Sequence, residues 1–571
     1  MAKFTTRPVV MGRRGVVASG HYLATAAGFR ILETGGNAFD SAVATGLCLA
    51  LIEPHNNGLG GEVPILVYPS REKKVFAISG QGFAPKLATI EWFRNNNYKV
   101  IPGDGFLPGT VPAALDTWVQ TLSRFGTKTF AEVAAPAIEL AETGYPVYET
   151  LHDALRGLEK KFRSEWSTSA KLFLPNDRVP AFGDLLRNPE WAAVLRAMVK
   201  AEKSAARKGR VRALEAARDV FYKGKIAEAI CEFIGTFVAH DAEGGLHHGL
   251  LQPEDFADYH ARVEEPVRAT YRDCEVFKCP PWTQGPVFLQ QLGILENFDL
   301  KKLGHNSADY IHVVMEAAKL AFADRENFYG DPDFDNVPLD RLLSKPYGAA
   351  QAKRIDLAKA DLTVPRSAIG HPESGKHDHD TTHLDVIDAA GNMISCTPSG
   401  GWIQSSPVIE GLGFPLGTRA QMFYLDPTRP NALAPRKRPR TTLTPSLAFR
   451  GGKPWLVFGT PGGDQQDQWT LQFFLNVVEF GMNLQEAIDA PSFHSTHFPS
   501  SFYPRTGNPG GVVVEGRIAP EVRRELEKRG HRVTVASDWA NGKVTAVSRG
   551  DRGVIMGAAS SRGEIGYAFG W

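Results

Sequence analysis

Thr381, His383 and Asp385 form the polar run whose residue types and spacing are best suited to chemistry in this sequence. Two short β-rich segments flank a loop containing Gly391–Asn392, a pattern typical of a β-hairpin. Because side chains alternate across a strand, the three polar residues are predicted to share one face, with Leu384 on the other. Such a face could hold a catalytic group, and a plain hairpin start is the alternative.

Gly462 and Gly463 form a second candidate feature, between a predicted buried strand at Trp455–Phe458 and an amphipathic helix. Asp464 is predicted to cap that helix, which would leave both glycine amides beside its N-terminus. Free N–H groups and the helix dipole favour negative charge there, and an oxyanion hole needs such donors. A simple glycine turn is the alternative.

Other chemistries have weaker sequence support. The His377–Asp380 run could bind zinc or manganese, since imidazole and carboxylate suit these metals. The Gly370–His377 run spells most of a phosphate-binding loop, but His377 stands where Ser or Thr should bind magnesium. Cys274 and Cys279 lack the second pair of a structural zinc site, and Cys396 is predicted to be a small core residue. We therefore expect no metal and no cofactor.

Composition limits the class of protein and its partners. The 571 residues are 43% hydrophobic and 22% charged, values typical of a folded globular protein. A net charge of +1 provides no field to attract nucleic acid or an anionic membrane, and the charged 191–235 region interleaves both signs. We therefore expect neither nucleic acid nor a membrane as a partner.

The cellular location can also be predicted from local features. The five cysteines are odd in number and scattered, which suits reduced thiols. No apolar run of signal-peptide length opens the sequence, and the longest apolar region, 42–52, is too short to span a bilayer. These features predict a cytoplasmic protein.

Motifs in the same order along nearly the whole chain resemble the γ-glutamyltransferase family, a branch of the N-terminal-nucleophile (Ntn) hydrolases. The matching segments are Gly15–Ser19, Gly35–Ala38, Glu53–Pro54, Gly58–Gly61, Pro108–Pro112, Asp324–Arg325, Gly330–Phe334, Asp380–His383 with Gly391–Asn392, Gly462–Gly463 and Gly557–Gly563. An ordered series of matches is far more specific than any single short motif.

The resemblance implies an α+β fold of four αββα layers and a precursor that cleaves itself between Asp380 and Thr381. The fragments would be a large subunit, 1–380, and a small catalytic subunit, 381–571. Thr381 would then be a new N-terminus, with its hydroxyl as nucleophile and its own α-amine as base.

The resemblance also implies roles for further residues. Ser399 takes the place of a family threonine that hydrogen-bonds the nucleophile, and Gly462 and Gly463 would stabilise the oxyanion. Thr441–Thr442 take the place of a serine pair that contacts the substrate, and Thr382 is a further candidate substrate contact.

Departures from the family pattern bear on the substrate. Family members that bind a γ-glutamyl group use an arginine, an asparagine and an aspartate, where this sequence has Ile90, Gly401 and Met422. A buried charge without a partner costs several kcal/mol, so glutamyl donors should bind poorly. Arg419 or Arg94 could bind a different carboxylate, because a guanidinium offers bidentate donors. A surface position is the alternative for each arginine.

These features favour an amidohydrolase of the acylase-like branch, which is similar to cephalosporin acylases and oxamate amidohydrolases. The expected partners are a small-molecule amide substrate and the chain's own two fragments, with a dimer of these heterodimers possible. A true γ-glutamyl transferase or glutathione hydrolase is one alternative. A precursor that never matures and serves as a scaffold or binding protein is the other.

Overall fold

The structure, a computed structural model, describes residues 4–363, 381–563 and 565–571. Three features considered above fall outside these residues: the phosphate-loop-like run, the His377–Asp380 run, and Asp380 of the predicted cleavage site. Thr381 begins the second described range.

The described strands belong mostly to two large sheets. They are β1 (Val10–Gly12), β2 (Gly15–Ser19), β3 (Ile65–Tyr68), β4 (Phe76–Ile78), β5 (Tyr145–Pro146), β6 (Leu185–Leu186), β7 (Ala239–His240), β8 (Leu246–His247), β9 (Val263–Glu264), β10 (Val267–Tyr271), β11 (Cys274–Lys278), β12 (Leu384–Asp388), β13 (Met393–Cys396), β14 (Ser446–Arg450), β15 (Lys453–Gly459), β16 (Phe493–Ser495), β17 (Gly511–Glu515), β18 (Arg532–Ala536), β19 (Thr545–Arg549), β20 (Ile555–Ala559) and β21 (Tyr567–Gly570). The predicted hairpin corresponds to β12 and β13, which pair antiparallel.

The helices lie between and after these strands. They are α1 (Tyr22–Glu33), α2 (Ala38–Ile52), α3 (Ile90–Asn95), α4 (Ala114–Phe125), α5 (Phe130–Thr143), α6 (Glu149–Ser164), α7 (Ser167–Phe173), α8 (Pro189–Ala205), α9 (Arg210–Tyr222), α10 (Lys225–Thr236), α11 (Pro253–Ala257), α12 (Pro286–Leu295), α13 (Leu300–Leu303), α14 (Ala308–Phe328), α15 (Leu339–Leu342), α16 (Lys345–Ala352), α17 (Gln466–Val478), α18 (Leu484–Asp489) and α19 (Pro520–Lys528). In the described ranges, none of them combines the length and apolarity needed to cross a bilayer.

Two seven-stranded antiparallel sheets form the centre of the molecule. One has the strand order β21-β2-β12-β13-β3-β4-β9, and the other has the order β1-β20-β19-β15-β14-β11-β10. In the first sheet, β12 is paired on both sides, with β2 and with β13. The strand that follows Thr381 is therefore held firmly inside a sheet.

The cores show how the layers stack. Ile387 of the first sheet shares a buried cluster with Leu447 and Val457 of the second, so the two sheets pack face to face. The opposite face of the first sheet, including Val386, packs with α2 and its neighbours. The outer face of the second sheet packs with α12, α14 and α17. The order helix, sheet, sheet, helix confirms the predicted four-layer αββα class.

Side-chain caps define where individual helices begin. Asn37 and Asp40 form a capping box at the start of α2, as their polar types allow. Asn306 is of a residue type favoured at helix caps, but Ser307 caps α14 and accepts the hydrogen bond from the Tyr310 amide at 3.1 Å. Asn306 instead has φ +54° and donates its side-chain amide to the Pro491 carbonyl at 2.8 Å.

Two helical glycines should respond in opposite ways to alanine. A Cβ at Gly46 of α2 would lie 2.2 Å from the Trp118 ring, whereas one at Gly293 of α12 would meet nothing within 4 Å. We expect Gly46→Ala to destabilise by about 1–3 kcal/mol through overpacking. We expect Gly293→Ala to stabilise by about 0.5–1 kcal/mol, because alanine is the better helix former. Unfolding midpoints followed by circular dichroism test the pair, and shifts of the same sign would contradict this packing.

Candidate active site

Three backbone segments lie side by side at the candidate nucleophile. Thr381 forms an antiparallel bridge with Ser399, which forms a second bridge with Glu62. The Glu62 amide donates to the Ser399 carbonyl at 2.8 Å, and the Ser399 amide donates to the Glu62 carbonyl at 2.9 Å. Thr381 is 2% exposed, so its position is set by surrounding protein.

The side chains of these segments form a connected set. Thr381 Oγ1 lies 3.0 Å from Ser399 Oγ, the partner suggested by the family resemblance. Arg419 Nη2 donates to Ser399 Oγ at 2.9 Å. Arg419 in turn forms an ion pair with Glu62 through both Nε and Nη2. The structure thus brings together Thr381, Ser399 and Arg419, and adds Glu62.

Sequence reasoning missed Glu62, although it directly follows the Gly58–Gly61 motif. The Glu62 side chain is 2% exposed and the Arg419 side chain is 1% exposed, so the surface position considered for Arg419 is wrong. Burial raises the pKa of Glu62, while the adjacent Arg419 acts in the opposite direction. Arg94, by contrast, is exposed and donates to the Leu425 carbonyl at 2.8 Å.

His383 and Asp385 tie the two sheets together. His383 Nδ1 lies 2.9 Å from Thr397 Oγ1, and its Nε2 lies 3.1 Å from Asp385 Oδ1. Thr545 of β19, in the other sheet, donates to Asp385 Oδ2 at 2.8 Å. His383 and Asp385 therefore share a polar face, and their contacts anchor the strand that follows Thr381.

The Gly462–Gly463 segment differs from the predicted helix cap. Gly462 and Gly463 have φ +120° and +56°, and a short 3-10 helix, Gly463–Gln465, precedes α17. The cap predicted at Asp464 is wrong: its carboxylate accepts from the Ser501 amide at 2.7 Å and pairs with Arg325. Within the described ranges neither glycine amide donates a hydrogen bond, so both remain available for a ligand.

A crevice and a cleft connect these groups. Thr381, Thr382 and Pro461 line a crevice of about 20 Å³. Gly462 and Gly463 line an adjoining cleft of about 1190 Å³. Four residues line both spaces: His55, Asn56, Thr150 and Lys543. A molecule in the cleft could therefore reach Thr381 beside the glycine amides.

The three threonines proposed to contact a substrate occupy two different places. Thr382 lies at the crevice, where its buried Oγ1 has no hydrogen-bond partner among the described residues. Thr441 pairs by its backbone with Trp282 and Gln284, at 2.9 and 2.8 Å. Thr442 Oγ1 is buried and likewise lacks a hydrogen-bond partner in the described part of the chain. Neither Thr441 nor Thr442 lines the crevice or the cleft.

One group of possible metal ligands occurs among the described residues, formed by the buried His312, Glu316 and His531. His312 Nδ1 lies 2.8 Å from His531 Nε2, and the Lys319 ammonium donates to Glu316 at 2.6 Å. A cation there would face that ammonium. Burial raises the pKa of the Cys396 thiol well above its ordinary value, as expected of a core residue.

Buried ion pairs hold Asp464, the residue that directly follows Gly463. Arg325 pairs with Asp464 and also with Glu326, its Nη2 lying 3.0 Å from Glu326 Oε1. Arg440 Nη2 adds a second contact to Glu326 at 2.7 Å. Burial alone would raise the pKa of Glu326, but Arg440 and Arg325 together lower it to about 2. The ion pairs therefore keep the Glu326 carboxylate charged beside Arg325, which also pairs with Asp464.

Comparisons with known proteins agree over almost the whole chain. The sequence model of the family described as "Gamma-glutamyltranspeptidase" matches residues 24–570. The glutathione hydrolase-like YwrD proenzyme of Bacillus subtilis (strain 168) is 34% identical over 97% of this chain and 98% of that protein. The structure of LmbA2991HD has a TM-score of 0.95 at 43% identity, covering 100% of both chains. The cephalosporin acylase from Bacillus halodurans has a TM-score of 0.84 at 31% identity, covering 100% of this chain and 98% of that one.

The pH dependence of stability should reveal the Glu326 ion pairs. Because the folded-state pKa of about 2 is below the ordinary 4.5, the contribution of Glu326 is complete above pH 4.5 and is lost as pH falls toward 2. We expect Glu326→Gln to unfold at lower urea than the wild type at pH 7, with the difference narrowing between pH 4.5 and 2.

The exposed Glu527 provides the matched control, because its substitution by glutamine removes a carboxylate without disturbing a buried ion pair. Urea midpoints at several pH values compare the three proteins. A gap between wild type and Glu326→Gln that stays constant with pH would show that these ion pairs do not hold the carboxyl charged.

Proposed function

This chain belongs to the gamma-glutamyltranspeptidase family and is an enzyme of the Ntn-hydrolase type, and from that premise we propose that it is a self-cleaving amidohydrolase acting through an acyl-Thr381 intermediate. The observation that carries the proposal is the position of Thr381: its Oγ1 lies 3.0 Å from Ser399 Oγ, at a crevice that adjoins a cleft lined by Gly462 and Gly463.

Maturation is the first step of the proposed chemistry. Thr381 Oγ attacks the carbonyl carbon of Asp380, the peptide C–N bond breaks, and an ester forms in its place. Water then hydrolyses the ester, leaving a carboxylate on Asp380 and a free α-amine on Thr381. The products are the fragments 1–380 and 381–571. The Bacillus subtilis relative is named as a proenzyme, which supports this step.

Hydrolysis of a substrate follows from the same geometry. The α-amine of Thr381 takes the hydroxyl proton as Oγ attacks the substrate amide carbon. The Gly462 and Gly463 amides, which have no acceptor among the described residues, donate to the oxyanion. The amine leaves with a proton, and water releases the acyl group from Thr381. Thr382, which lines the crevice, is the proposed substrate contact. The substrate role of the Thr441–Thr442 pair stays a prediction from the family resemblance, because neither residue lines the crevice or the cleft.

The acyl group is proposed to differ from a typical γ-glutamyl group. Met422 packs in a buried cluster with Trp402 and Phe502, and Ile90 lies in another apolar cluster. Family members that bind a γ-glutamyl group have an arginine, an asparagine and an aspartate where this chain has Ile90, Gly401 and Met422. Apolar surroundings do not compensate an ammonium or a carboxylate. The name of the cephalosporin acylase neighbour is consistent with an acylase-like activity.

Three further features are predicted from the sequence alone. They are the dimer of heterodimers, the cytoplasmic location and the binding of a substrate carboxylate by Arg419. A true glutathione hydrolase or γ-glutamyl transferase remains the alternative enzyme, and a non-maturing scaffold remains the alternative class. The following two experiments separate these alternatives.

Self-cleavage tests the position of the nucleophile. We expect the wild type to separate on denaturing electrophoresis into two fragments, the smaller beginning at Thr381 by intact mass. Thr381→Ala should stay a single chain because it lacks the attacking hydroxyl, and Thr381→Ser should cleave because it keeps one. Thr428→Ala, at an exposed threonine, is the matched control and should cleave like the wild type. An uncleaved wild type would favour the scaffold.

A pair of substrates that differ in one group tests the acyl specificity. Glutaryl-p-nitroanilide and γ-glutamyl-p-nitroanilide differ by the α-ammonium, whose asparagine and aspartate partners in the family are replaced here by Gly401 and Met422. We expect kcat/KM to be higher for the glutaryl compound by about 10-fold or more, since an uncompensated buried charge is costly. Addition of glycylglycine should have little effect. Efficient γ-glutamyl transfer to glycylglycine would instead establish the transferase alternative.

A further inference from the structure

We propose that Glu62 and Arg419 act as positioning residues, a buried pair that holds the Ser399 hydroxyl in the orientation in which it hydrogen-bonds Thr381. The inference rests on the proposed function, because it takes Thr381 as the nucleophile. It assigns to Arg419 a role other than the binding of a substrate carboxylate.

The backbone places Glu62 next to the reacting group. Glu62 and Ser399 exchange both backbone hydrogen bonds, at 2.8 and 2.9 Å, and Thr381 pairs with the other side of Ser399. A Cβ at Gly400 would lie 3.1 Å from Glu62 Oε1, so the carboxylate lies close to the residue that follows Ser399. Two side chains, those of Arg419 and Ser399, therefore separate the Glu62 carboxylate from the Thr381 hydroxyl.

The pair fixes the guanidinium in position. Arg419 Nε and Nη2 both contact Glu62, so one edge of the planar group faces the carboxylate. The guanidinium carbon lies 4.9 Å from the centroid of the Trp402 ring and 5.6 Å from that of Phe502. Ion pairing at the edge and aromatic contacts beside it leave Arg419 little freedom to turn.

Hydrogen-bond chemistry then determines what Ser399 can do. A guanidinium only donates, so Ser399 Oγ must accept from Arg419 Nη2 at 2.9 Å. The Ser399 hydroxyl hydrogen is thereby directed to an acceptor, and Thr381 Oγ1 lies at 3.0 Å. A charged donor behind a hydroxyl strengthens the bond that the hydroxyl donates. Negative charge developing on Thr381 Oγ during attack would be stabilised.

The same contacts disfavour a carboxylate receptor. Two nitrogens of Arg419 are committed to Glu62, and the third, Nη1, faces the sulfur of Met422 at 4.0 Å. A substrate carboxylate at Arg419 would lie beside the Glu62 carboxylate, and like charges at this separation repel. The observed pairing is thus suited to orienting Ser399.

Self-cleavage provides a test that needs no substrate. The first-order rate at which the two fragments form is measured for wild type, Arg419→Lys, Glu62→Gln and Ser399→Ala. We expect about a 10-fold or greater loss of rate in each variant, because small misplacements of a reacting group are costly. If Arg419 acts through Ser399, the double variant Arg419→Lys/Ser399→Ala should cleave no more slowly than Ser399→Ala alone.

A second buried ion pair provides the matched control for stability. Arg218 and Asp116 are 1% and 0% exposed and lie outside the proposed site. Arg218→Lys should lower the thermal midpoint as Arg419→Lys does, but leave the cleavage rate within about twofold of wild type, because distant sites act independently. Circular dichroism tests whether each variant is folded. If Arg419→Lys does not fold, Glu62→Gln, which retains the side-chain volume, provides the test of the pair.

The outcomes separate this inference from the proposed function. Wild-type rates in folded Arg419→Lys and Glu62→Gln would overturn the inference alone, as would additive losses in the double variant. A rise in KM confined to carboxylate-bearing substrates, with an unchanged cleavage rate, would restore the receptor role of Arg419. An uncleaved wild type would overturn the proposed function and this inference together.

Discussion

The backbone pairing of Thr381 with Ser399, and of Ser399 with Glu62, is the constraint on which the candidate site depends. A nucleophile at a chain terminus has few covalent restraints, so its position must come from neighbouring strands. Here Thr381 leads directly into β12, which is hydrogen-bonded on both sides and packs against helices on one face and the second sheet on the other. The packing of the four layers therefore holds the hydroxyl of Thr381, the proposed nucleophile, in place.

Charge compensation is the second requirement, because a buried charge without a partner destabilises a fold by several kcal/mol. Arg419 is compensated by Glu62 on one side of the site, and Arg325 is compensated by Asp464 and Glu326 on another. Arg419 contacts Ser399, and Asp464 directly follows the Gly462–Gly463 segment, so each set of ion pairs adjoins a group proposed to act in catalysis. Ion pairs with this placement restrain polar groups that apolar packing could not orient.

The cleft connects the fold with the proposed activity. In the proposed activity, Thr381 is the nucleophile, Gly462 and Gly463 are the amide donors, and the residues around Met422 select the acyl group. Trp402, Met422 and Phe502 make that region apolar, with the Arg419 charge already balanced by Glu62. The proposed reaction, combined with an acyl site that departs from the family's glutamyl-binding residues, fits the similarity of this chain to both a glutathione hydrolase-like protein and a cephalosporin acylase.

The sequence by itself determined the features that depend on near neighbours: the hairpin of β12 and β13 and the alternation that separates His383 from Leu384. Ordered motifs added the family and the four layers. Only the tertiary structure showed that Ser307, not Asn306, caps α14, that Asp464 pairs with Arg325, and that Arg419 is buried against Glu62. Glu62 and Arg419 are separated by 357 positions. Periodicity and local propensity report on a few adjacent residues, whereas the packing of two sheets decides which distant side chains meet.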